Sequence, residues 1–285
     1  MVEAIRVLVS RPDFLTNPLR ALSRRATWRL RWLLSNDPWS MPLSGMRILA
    51  PRGGAGALIH YQGFSEPETA AYLKDILREG MMFWDVGAHI GEYAILAAGI
   101  IGDTGGVCAF EANPELCSLL LQTVAMNRLA NVHVLASAVC HRQGDVHFDI
   151  CAEPSISSIR GGQESREGVV KTLLVPATTL DEWWDQDERR PDVIKVDVEG
   201  AERLVLQGSR RLLSLGAGDA ATWIIEFSPE NCRRSGYHPS ALLSTFREYG
   251  YRTYWLTAGP KLTDTQAGPP GWRSSGNVVA IKSSL

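Results

Sequence analysis

The stretch FWDVGAHIGEY, residues 83–93, decides the fold predicted for this chain. Its first half is a hydrophobic strand that ends in Asp85, and its second half carries Gly87 and Gly91 around a turn into a helix. Glycine at such a turn allows backbone conformations that side chains forbid, and it lets a ligand lie against the main chain at the carboxyl end of the strand. The stretch therefore predicts a strand–turn–helix unit with a nucleotide-like ligand.

The spacing of the glycines disfavours a dinucleotide. A Gly-x-Gly-x-x-Gly fingerprint cradles a pyrophosphate, whereas residues 87–91 read Gly-Ala-His-Ile-Gly. Glu111 ends the second predicted strand, where a carboxylate can accept hydrogen bonds from both ribose hydroxyls of a nucleoside. These features predict a nucleoside site without a pyrophosphate cradle. The alternative is that the glycines only make a tight turn and that Glu111 caps the next helix.

A second stretch that carries chemistry is PDVIKVDVEGAE, residues 191–202. Lys195, Asp197 and Glu199 lie in or beside a buried strand, where unpartnered charges are costly, so we expect them to face a cleft. With Glu226 they would form a carboxylate cluster that orients a substrate hydroxyl, takes its proton or holds a divalent ion, with Asp197 and Glu226 as the metal ligands. The alternative is that Lys195 and a carboxylate form a purely structural ion pair.

Outward from these stretches, apolar runs alternate with helical periodicity, which is typical of an α/β fold with a mainly parallel sheet. The predicted strands are residues 81–87, 106–112, 132–139, 146–150, 169–175, 192–200, 222–227, 251–257 and 277–283, and the predicted helices are 90–101, 114–128, 201–215 and 239–249, with a short one from 178. We expect the last two strands to form an antiparallel pair at one edge. The Gly/Ser/Glu-rich stretch 153–168 predicts a loop, either a lid or a plain insertion.

The composition is that of an ordinary globular protein. The 285 residues are 45% hydrophobic and 21% charged, which excludes collagen, coiled coil and a disordered tail. The net charge of -2 argues against a nucleic-acid partner. Five cysteines without Cys-x-x-Cys spacing argue against a disulfide framework or a thiolate zinc site, and they indicate a cytoplasmic protein. We find neither a signal peptide nor a run of about 18 apolar residues that would predict a transmembrane helix.

The first 60 residues are interpreted as an extension and residues 61–285 as the main domain. A basic helix is predicted over residues 20–34, with Leu22, Trp28, Trp32 and Leu33 roughly on one face. The favoured interpretation packs this apolar face on the main domain and leaves the arginines in water. The alternative is a peripheral contact between the helix and a membrane surface.

Several motifs in order make the chain resemble the FkbM-type S-adenosylmethionine-dependent methyltransferases of class I, the Rossmann-like kind. They are DVGAHIGEY, FEANP, the Asn127 that ends the second helix, SAV at 137–139, TTLDE at 178–182, DVIKVDVEGAE and IIEF. The resemblance covers roughly residues 60–257. It implies a seven-stranded, mainly parallel sheet with an antiparallel edge strand and helices on both faces.

The resemblance also implies residue roles. The turn with Asp85, Gly87, Ala88 and Gly91 would surround the methionine part of S-adenosylmethionine. Glu111 would bind the ribose, and the segment with Ser137 and Ala138 would lie beside the adenine. The family usually has Asn where this chain has His89, so His89 is interpreted as a turn residue without a carried-over contact.

The implied reaction is methyl transfer, most simply to a hydroxyl oxygen of a saccharide or a natural-product small molecule. An alcohol acceptor needs a base or a metal, for which Asp197 and Glu199 are the candidates, with Glu226 and His238 behind them. We expect the acceptor pocket to be built from residues 1–80, 153–168 and 229–240.

Two alternative functions come from other classes. A nicotinamide-dependent oxidoreductase is disfavoured by the absent third glycine and the absence of a Tyr-x-x-x-Lys pair. A non-catalytic relative that only binds S-adenosylmethionine is disfavoured because Asp85, Glu111, Asp197 and Glu199 are all present.

Overall fold

The structure is a computed structural model that describes residues 14–15, 17–153, 156–160, 168–257, 261–267 and 275–282. The chain divides into two compact units, Met1–Pro67 and Glu68–Leu285. Within the predicted loop 153–168, Ser158–Ile159 form a short strand instead, and residues 154–155 and 161–167 lie outside the described residues. The interpretation of residues 1–60 as an extension and 61–285 as the main domain stays a prediction.

The smaller unit contains helix α1 (Pro18–Leu34), strands β1 (Trp39–Leu43) and β2 (Met46–Ala50), and helix α2 (Ala55–Gln62). The two strands pair antiparallel. Asn17 caps α1, since its side chain accepts a hydrogen bond from the Arg20 backbone N–H.

The apolar residues of α1 do not share one face as predicted. Trp28 and Trp32 are buried in contact with each other, with ring centroids 5.5 Å apart, whereas Leu22 and Leu33 are exposed. A helix advances about 100° per residue, which turns both tryptophans away from the side on which the two leucines lie. The tryptophan side packs within the smaller unit, where Trp28 also stacks on His60.

The larger unit contains twelve strands among its described residues. They are β3 (Met82–Val86), β4 (Gly106–Phe110), β5 (Val132–Leu135), β6 (Ala138–Val139), β7 (Gly144–Cys151), β8 (Ser158–Ile159), β9 (Val169–Thr178), β10 (Val193–Val196), β11 (Thr222–Phe227), β12 (Arg252–Thr257), β13 (Lys261–Asp264) and β14 (Gly276–Ile281). Eight form a central sheet in the order β13, β12, β14, β11, β10, β3, β4, β5. The five strands from β11 to β5 run parallel. The predicted α/β fold with a mainly parallel sheet is confirmed.

Two details of the central sheet differ from the prediction. It has eight strands rather than seven, because β13 pairs antiparallel with β12 at the edge. The predicted antiparallel pair of strands 251–257 and 277–283 is confirmed as β12 and β14, but β13 forms the edge, and β14 lies between β11 and β12, antiparallel to both. Its residues Val278, Val279 and Ala280 are fully buried, which requires cover on both sides of the sheet and neighbours along both of its edges.

A second sheet has the order β6, β9, β7, β8. The predicted strand 132–139 is therefore two strands: β5 belongs to the central sheet, and after a turn at Ser137 the chain enters the second sheet as β6. The predicted strands 146–150 and 169–175 form the long antiparallel pair β7 and β9 of this sheet. Apolar periodicity alone cannot tell which sheet a strand joins.

The helices that begin at Pro67 or later are α3 (Pro67–Ile76), α4 (Glu92–Ile101), α5 (Pro114–Asn127), α6 (Leu180–Asp187), α7 (Glu202–Gln207), α8 (Arg210–Ser214), α9 (Pro229–Arg234) and α10 (Ser240–Glu248). The predicted helix 201–215 is interrupted at Gly208, where an added Cβ would lie 2.1 Å from the Cys140 carbonyl oxygen. Asn113 caps α5 as predicted, and Thr179 forms a capping box with Glu182 at α6.

Candidate active site

The carboxyl ends of β3, β4, β10 and β11 bring the two predicted chemistry-bearing stretches together. In the register of β3 and β10, Asp85 is opposite Lys195, and the Asp197 backbone N–H then donates to the Val86 carbonyl at 2.9 Å. Parallel strands end at the same edge of a sheet, so the residues that follow each strand share one cleft-forming region. This edge is the candidate active site.

The turn after β3 is packed so closely that it requires glycine. Gly87 has a φ of +82°, and a Cβ there would lie 1.9 Å from the Asp197 carbonyl oxygen. Gly91 has a φ of +90°, and its Cβ would meet the Leu120 side chain at 2.2 Å. The backbone N–H groups of Gly87 and Ala88 both donate to the Phe110 carbonyl, at 3.0 and 2.9 Å. Gly87 therefore lets the turn lie against Asp197, after β10, and Gly91 lets it lie against α5.

Glu111 is buried at the end of β4, and both of its carboxylate oxygens are held by backbone groups. The N–H groups of His89 and Asn113 donate to Oε2 and Oε1, each at 2.7 Å. Burial raises the pKa of Glu111 to about 7, against the opposing effect of these N–H donors. The side chain of Asn113, not that of Glu111, caps α5. Each carboxylate oxygen keeps a second lone pair for a ligand donor such as a ribose hydroxyl.

Asp85, near the end of β3, is a second carboxylate, and it is fully buried. Within the described part of the chain, neither of its oxygens accepts a hydrogen bond of ordinary geometry. Burial raises the pKa of Asp85 to about 6, although the Lys195 ammonium acts in the opposite direction. A buried carboxylate without a donor is costly, and this cost is relieved when a ligand supplies an N–H or a cation.

Lys195 is almost completely buried and lies between the two groups of acids. Its Nζ is 3.0 Å from Asp197 Oδ2 and 4.8 Å from the centre of the Tyr93 ring. The structural ion pair that the sequence left as an alternative is therefore present.

Asp197, Glu199 and Glu226 do converge as predicted. One carboxylate oxygen from each lies within 4.8 Å of the other two. Three carboxylates at this separation repel one another unless a proton, a cation or hydrogen-bond donors are shared among them. The amide of Asn231, in α9, supplies such donors, since its Nδ2 donates to Glu199 Oε2 at 2.8 Å and lies 3.4 Å from Glu226 Oε2.

Glu202 and Tyr237 support the loop that carries the cluster, and the sequence analysis did not assign either of them. Glu202 Oε1 accepts hydrogen bonds from the N–H groups of Val198 and Gly200, at 3.2 and 3.0 Å. The Tyr237 hydroxyl donates to Glu202 Oε2 at 3.1 Å. Burial raises the pKa of Glu202. The loop between them holds Glu199 with a φ of +53°, a conformation that needs such support.

The remaining predicted site residues lie at turns. His89 has a φ of +54°, as expected of a turn residue, and burial lowers its pKa to about 4, so its imidazole is neutral at pH 7. Ser137 stands where the chain changes sheets, and its hydroxyl donates to the carbonyls of Ala138 and Pro176. His238 is exposed, and its Nδ1 lies 2.7 Å from Ser240 Oγ.

A family model, the methyltransferase FkbM domain, matches residues 85–253. The chain belongs to this family. The match spans every element of the candidate site from Asp85 to Tyr237, and it confirms the resemblance drawn from the ordered motifs.

Two relatives among curated proteins are methyltransferases. Hexuronic acid methyltransferase AglP of Haloferax volcanii is 30% identical over 150 residues, which cover 52% of this chain and 58% of that protein. A protein-L-isoaspartate O-methyltransferase of Methanothrix thermoacetophila is 33% identical over 78 residues, 27% of this chain and 37% of that protein. This chain thus spans less than two thirds of the length of either relative.

Solved structures resemble the chain more distantly. A methyltransferase FkbM from Methylobacillus flagellatus has a TM-score of 0.45 and 18% identity, over 79% of this chain and 52% of that one. A fibrillarin from Aeropyrum pernix, in complex with natively bound S-adenosylmethionine, has a TM-score of 0.41 and 15% identity, over 74% of this chain and 72% of that one. In the part of the chain that the structure describes, no helix is long and apolar enough to cross a membrane.

Proposed function

We propose that this chain transfers a methyl group from S-adenosylmethionine to a hydroxyl oxygen of a saccharide or related small molecule. The observation that carries the proposal is that buried acids and partly exposed acids lie at the same edge of the central sheet. Asp85 is buried near the end of β3 and Glu111 directly after β4, and three partly exposed carboxylates lie at the ends of β10 and β11. Membership of the methyltransferase FkbM family supports methyl transfer, and the name of the relative AglP supports a saccharide acceptor.

The buried acids fit S-adenosylmethionine. Glu111 offers one lone pair on each oxygen to the two ribose hydroxyls, while its other lone pairs are engaged by the His89 and Asn113 N–H groups. Asp85 offers both carboxylate oxygens, neither of which accepts a hydrogen bond of ordinary geometry within the described residues, to the cationic amino end of the methionine part. The segment with Ser137 and Ala138 would border the adenine. S-adenosylmethionine supplies a methyl group on a sulfonium centre, which needs no further activation by the protein.

The partly exposed acids fit the acceptor. Asp197 and Glu199, with Glu226 beside them, can accept a hydrogen bond from a hydroxyl and orient its oxygen. They can take its proton as the C–O bond forms and the methyl–sulfur bond breaks, which would release S-adenosylhomocysteine. Asn231 holds Glu199 and Glu226 in place during this transfer. The Lys195 ammonium, 3.0 Å from Asp197 Oδ2, holds the Asp197 side chain at this edge of the sheet.

The same cluster is the place for a divalent cation, with Asp197 and Glu226 as its ligands. Carboxylate oxygens are the ligands that Mg²⁺ and Ca²⁺ prefer, and a cation would relieve the repulsion among the three acids. We propose to test this by titrating the protein with Mn²⁺ and following bound Mn²⁺ by electron paramagnetic resonance. Stoichiometric binding that Asp197→Asn abolishes supports the metal; its absence leaves proton transfer to the carboxylates alone.

We also propose a cytoplasmic location. All five cysteines are buried and free of disulfides, which is usual in a reducing compartment.

The test of the function is transfer of a labelled methyl group from S-adenosylmethionine to a panel of saccharides, uronic acids and matched deoxy sugars. The proposal expects labelled product only from acceptors that keep the reacting hydroxyl, with an ether linkage visible by mass spectrometry. Label on an amine would contradict O-methylation. Binding of S-adenosylmethionine without transfer to any acceptor in the panel would favour the non-catalytic alternative, and binding of NAD instead would favour the oxidoreductase.

A further inference from the structure

The outward side of helix α1 is an unusually apolar surface. Six leucines of this region are each at least half exposed: Leu15, Leu19, Leu22, Leu30, Leu33 and Leu34. They are six of the eleven large hydrophobic residues that are exposed in the described part of the chain. Single exposed leucines are ordinary, whereas a contiguous group marks a surface that meets something apolar.

The leucines form a stripe along the helix. Leu19, Leu22, Leu30 and Leu33 follow one another at spacings of three, eight and three residues, which places them on one side at about 100° per residue. The other side is already used: Ala21, Trp28 and Trp32 are buried, and Trp28 lies against Trp32 and His60. The stripe is therefore not needed to hold α1 in the smaller unit.

The charges of α1 are all positive. Its seventeen residues contain five arginines and no acid. Arg24 and Arg25 face inward, since Arg24 donates to the Tyr61 carbonyl and Arg25 lies over the Tyr61 ring. Arg20 and Arg29 are exposed, and on the helix they lie on either side of the leucine stripe. An apolar stripe bordered by arginines is complementary to a bilayer with anionic headgroups.

We propose that this side of α1 docks on the surface of an anionic lipid bilayer, with the helix axis in the plane of the membrane. The leucines would enter the boundary between headgroups and acyl chains, and Arg20 and Arg29 would pair with lipid phosphates. A second copy of the chain is a poorer partner for this stripe, because it would bring two sets of like charge together. The proposal rests on the smaller unit alone and does not depend on the proposed methyl transfer.

The experiment is flotation of the full chain with vesicles of phosphatidylcholine alone or mixed equally with phosphatidylglycerol. We expect binding to the mixed vesicles and little to the neutral ones. The variant Leu19→Gln/Leu30→Gln keeps the charge and helix propensity, and it should weaken binding by roughly 100-fold. The variant Arg20→Gln/Arg29→Gln keeps the leucines, and it should weaken binding by about tenfold or more.

Matched controls are Leu121→Gln, at an equally exposed leucine of α5, and Arg210→Gln/Arg252→Gln, at exposed arginines of the larger unit. Both should bind vesicles as the unmodified chain does, and unchanged thermal unfolding should show that all variants are folded. No binding to anionic vesicles, or binding that the leucine variant retains, would overturn the proposal. So would a dimer in sedimentation that the leucine variant dissociates while vesicle binding is absent throughout.

Discussion

The two groups of acids at the carboxyl edge of the central sheet are built in different ways. Asp85 and Glu111 are buried, burial raises the pKa of both, and the groups that hold Glu111 are backbone N–H donors of the adjoining turns. The cluster around Glu199 and Glu226 is partly exposed and is held by a side chain, that of Asn231, from a later segment. Backbone groups hold Glu111 among the buried acids, whereas the partly exposed acids are held by a side chain that is distant in sequence from Glu199.

This difference predicts that the two sides can be separated by mutation. Substitutions among the buried acids and their turn should act on the affinity for S-adenosylmethionine. Substitutions in the partly exposed cluster should act on kcat. The following experiments test that separation, from the largest expected effect to the smallest.

The largest effect is expected in the exposed cluster. Glu199→Gln keeps the size of the side chain but removes the charge that orients or deprotonates the acceptor hydroxyl. We expect kcat to fall by about 100-fold to 10,000-fold, the usual range for loss of a general base, with the Kd for S-adenosylmethionine nearly unchanged. Steady-state kinetics and calorimetry measure both quantities. Glu230→Gln, at an exposed acid paired with Arg234, is the matched control and should leave kcat unchanged. An equal loss of kcat in both variants would contradict the assignment.

The next effect concerns the turn that joins the two sides. Gly87→Ala adds a Cβ that would lie 1.9 Å from the Asp197 carbonyl oxygen, at a φ of +82°. We expect the free energy of unfolding to fall by about 3 kcal/mol or more, the sum of backbone strain and a clash that only a backbone shift relieves. Gly168→Ala has a matching φ of +83° with open space around it, so it isolates the strain at about 1 kcal/mol. Urea denaturation of both variants measures the difference, and equal destabilisation would show that the close approach to Asp197 is not constraining.

The third effect is on cofactor affinity and its dependence on pH. The pKa of Glu111 is about 7 in the folded chain against an ordinary 4.5, so the neutral form is favoured by folding. Its contribution to stability is present below pH 4.5 and is lost as the pH rises to about 7. The affinity for S-adenosylmethionine depends on pH in the opposite direction, because only the ionised carboxylate accepts hydrogen bonds from both ribose hydroxyls. We expect the affinity for S-adenosylmethionine to rise by up to about tenfold per pH unit below 7 and then to level off.

Calorimetry between pH 5.5 and 8.5 measures this profile. Glu111→Gln should bind about 10-fold to 100-fold more weakly at pH 8, since its amide cannot accept from both ribose hydroxyls and both backbone N–H groups, and its profile should lose the step near pH 7. A step of the same size in the variant would assign the titration to another group. The candidate is then Asp85, the other buried acid, whose pKa burial raises to about 6.

The smallest effect should come from a change at Tyr237, which with Glu202 supports the loop that carries Glu199. Tyr237→Phe removes the hydroxyl that donates to Glu202, and it should lower the free energy of unfolding by about 1 kcal/mol. Because Glu202 holds the backbone at Val198 and Gly200, we expect kcat to fall by a few-fold while the affinity for S-adenosylmethionine stays the same. A loss of affinity without a change in kcat would place Tyr237 on the cofactor side instead.

The same difference explains what the sequence could predict. The alternation of strands and helices from β3 to α5, the turn after β3 and the cap at Asn113 follow from patterns within a dozen residues, and the structure confirms them. The convergence of Asp197, Glu199 and Glu226 could also be predicted. Asp197 and Glu199 follow β10, Glu226 is near the end of β11, and these parallel strands end at one edge.

Contacts between distant segments could not be predicted. Asn231, in α9, contacts Glu199, and Tyr237 contacts Glu202, and the sequence pattern carries no signal for partners more than thirty residues away. The placement of β14 between β11 and β12 depends on burial at both of its edges, which an apolar run does not specify. In α1, apolar character alone predicts that the leucines and tryptophans share one face. The rotation of about 100° per residue instead places the buried tryptophans away from the exposed Leu22 and Leu33.

The most direct test of the separation is calorimetric titration of S-adenosylmethionine into three proteins: the unmodified chain, Glu111→Ala and Glu199→Gln, with NAD as the parallel ligand. We predict stoichiometric binding of S-adenosylmethionine and none of NAD, an affinity at least roughly 100-fold weaker for Glu111→Ala, and an affinity within about threefold of the unmodified value for Glu199→Gln. Equal weakening by both substitutions, or an unmodified chain that binds NAD rather than S-adenosylmethionine, would contradict it.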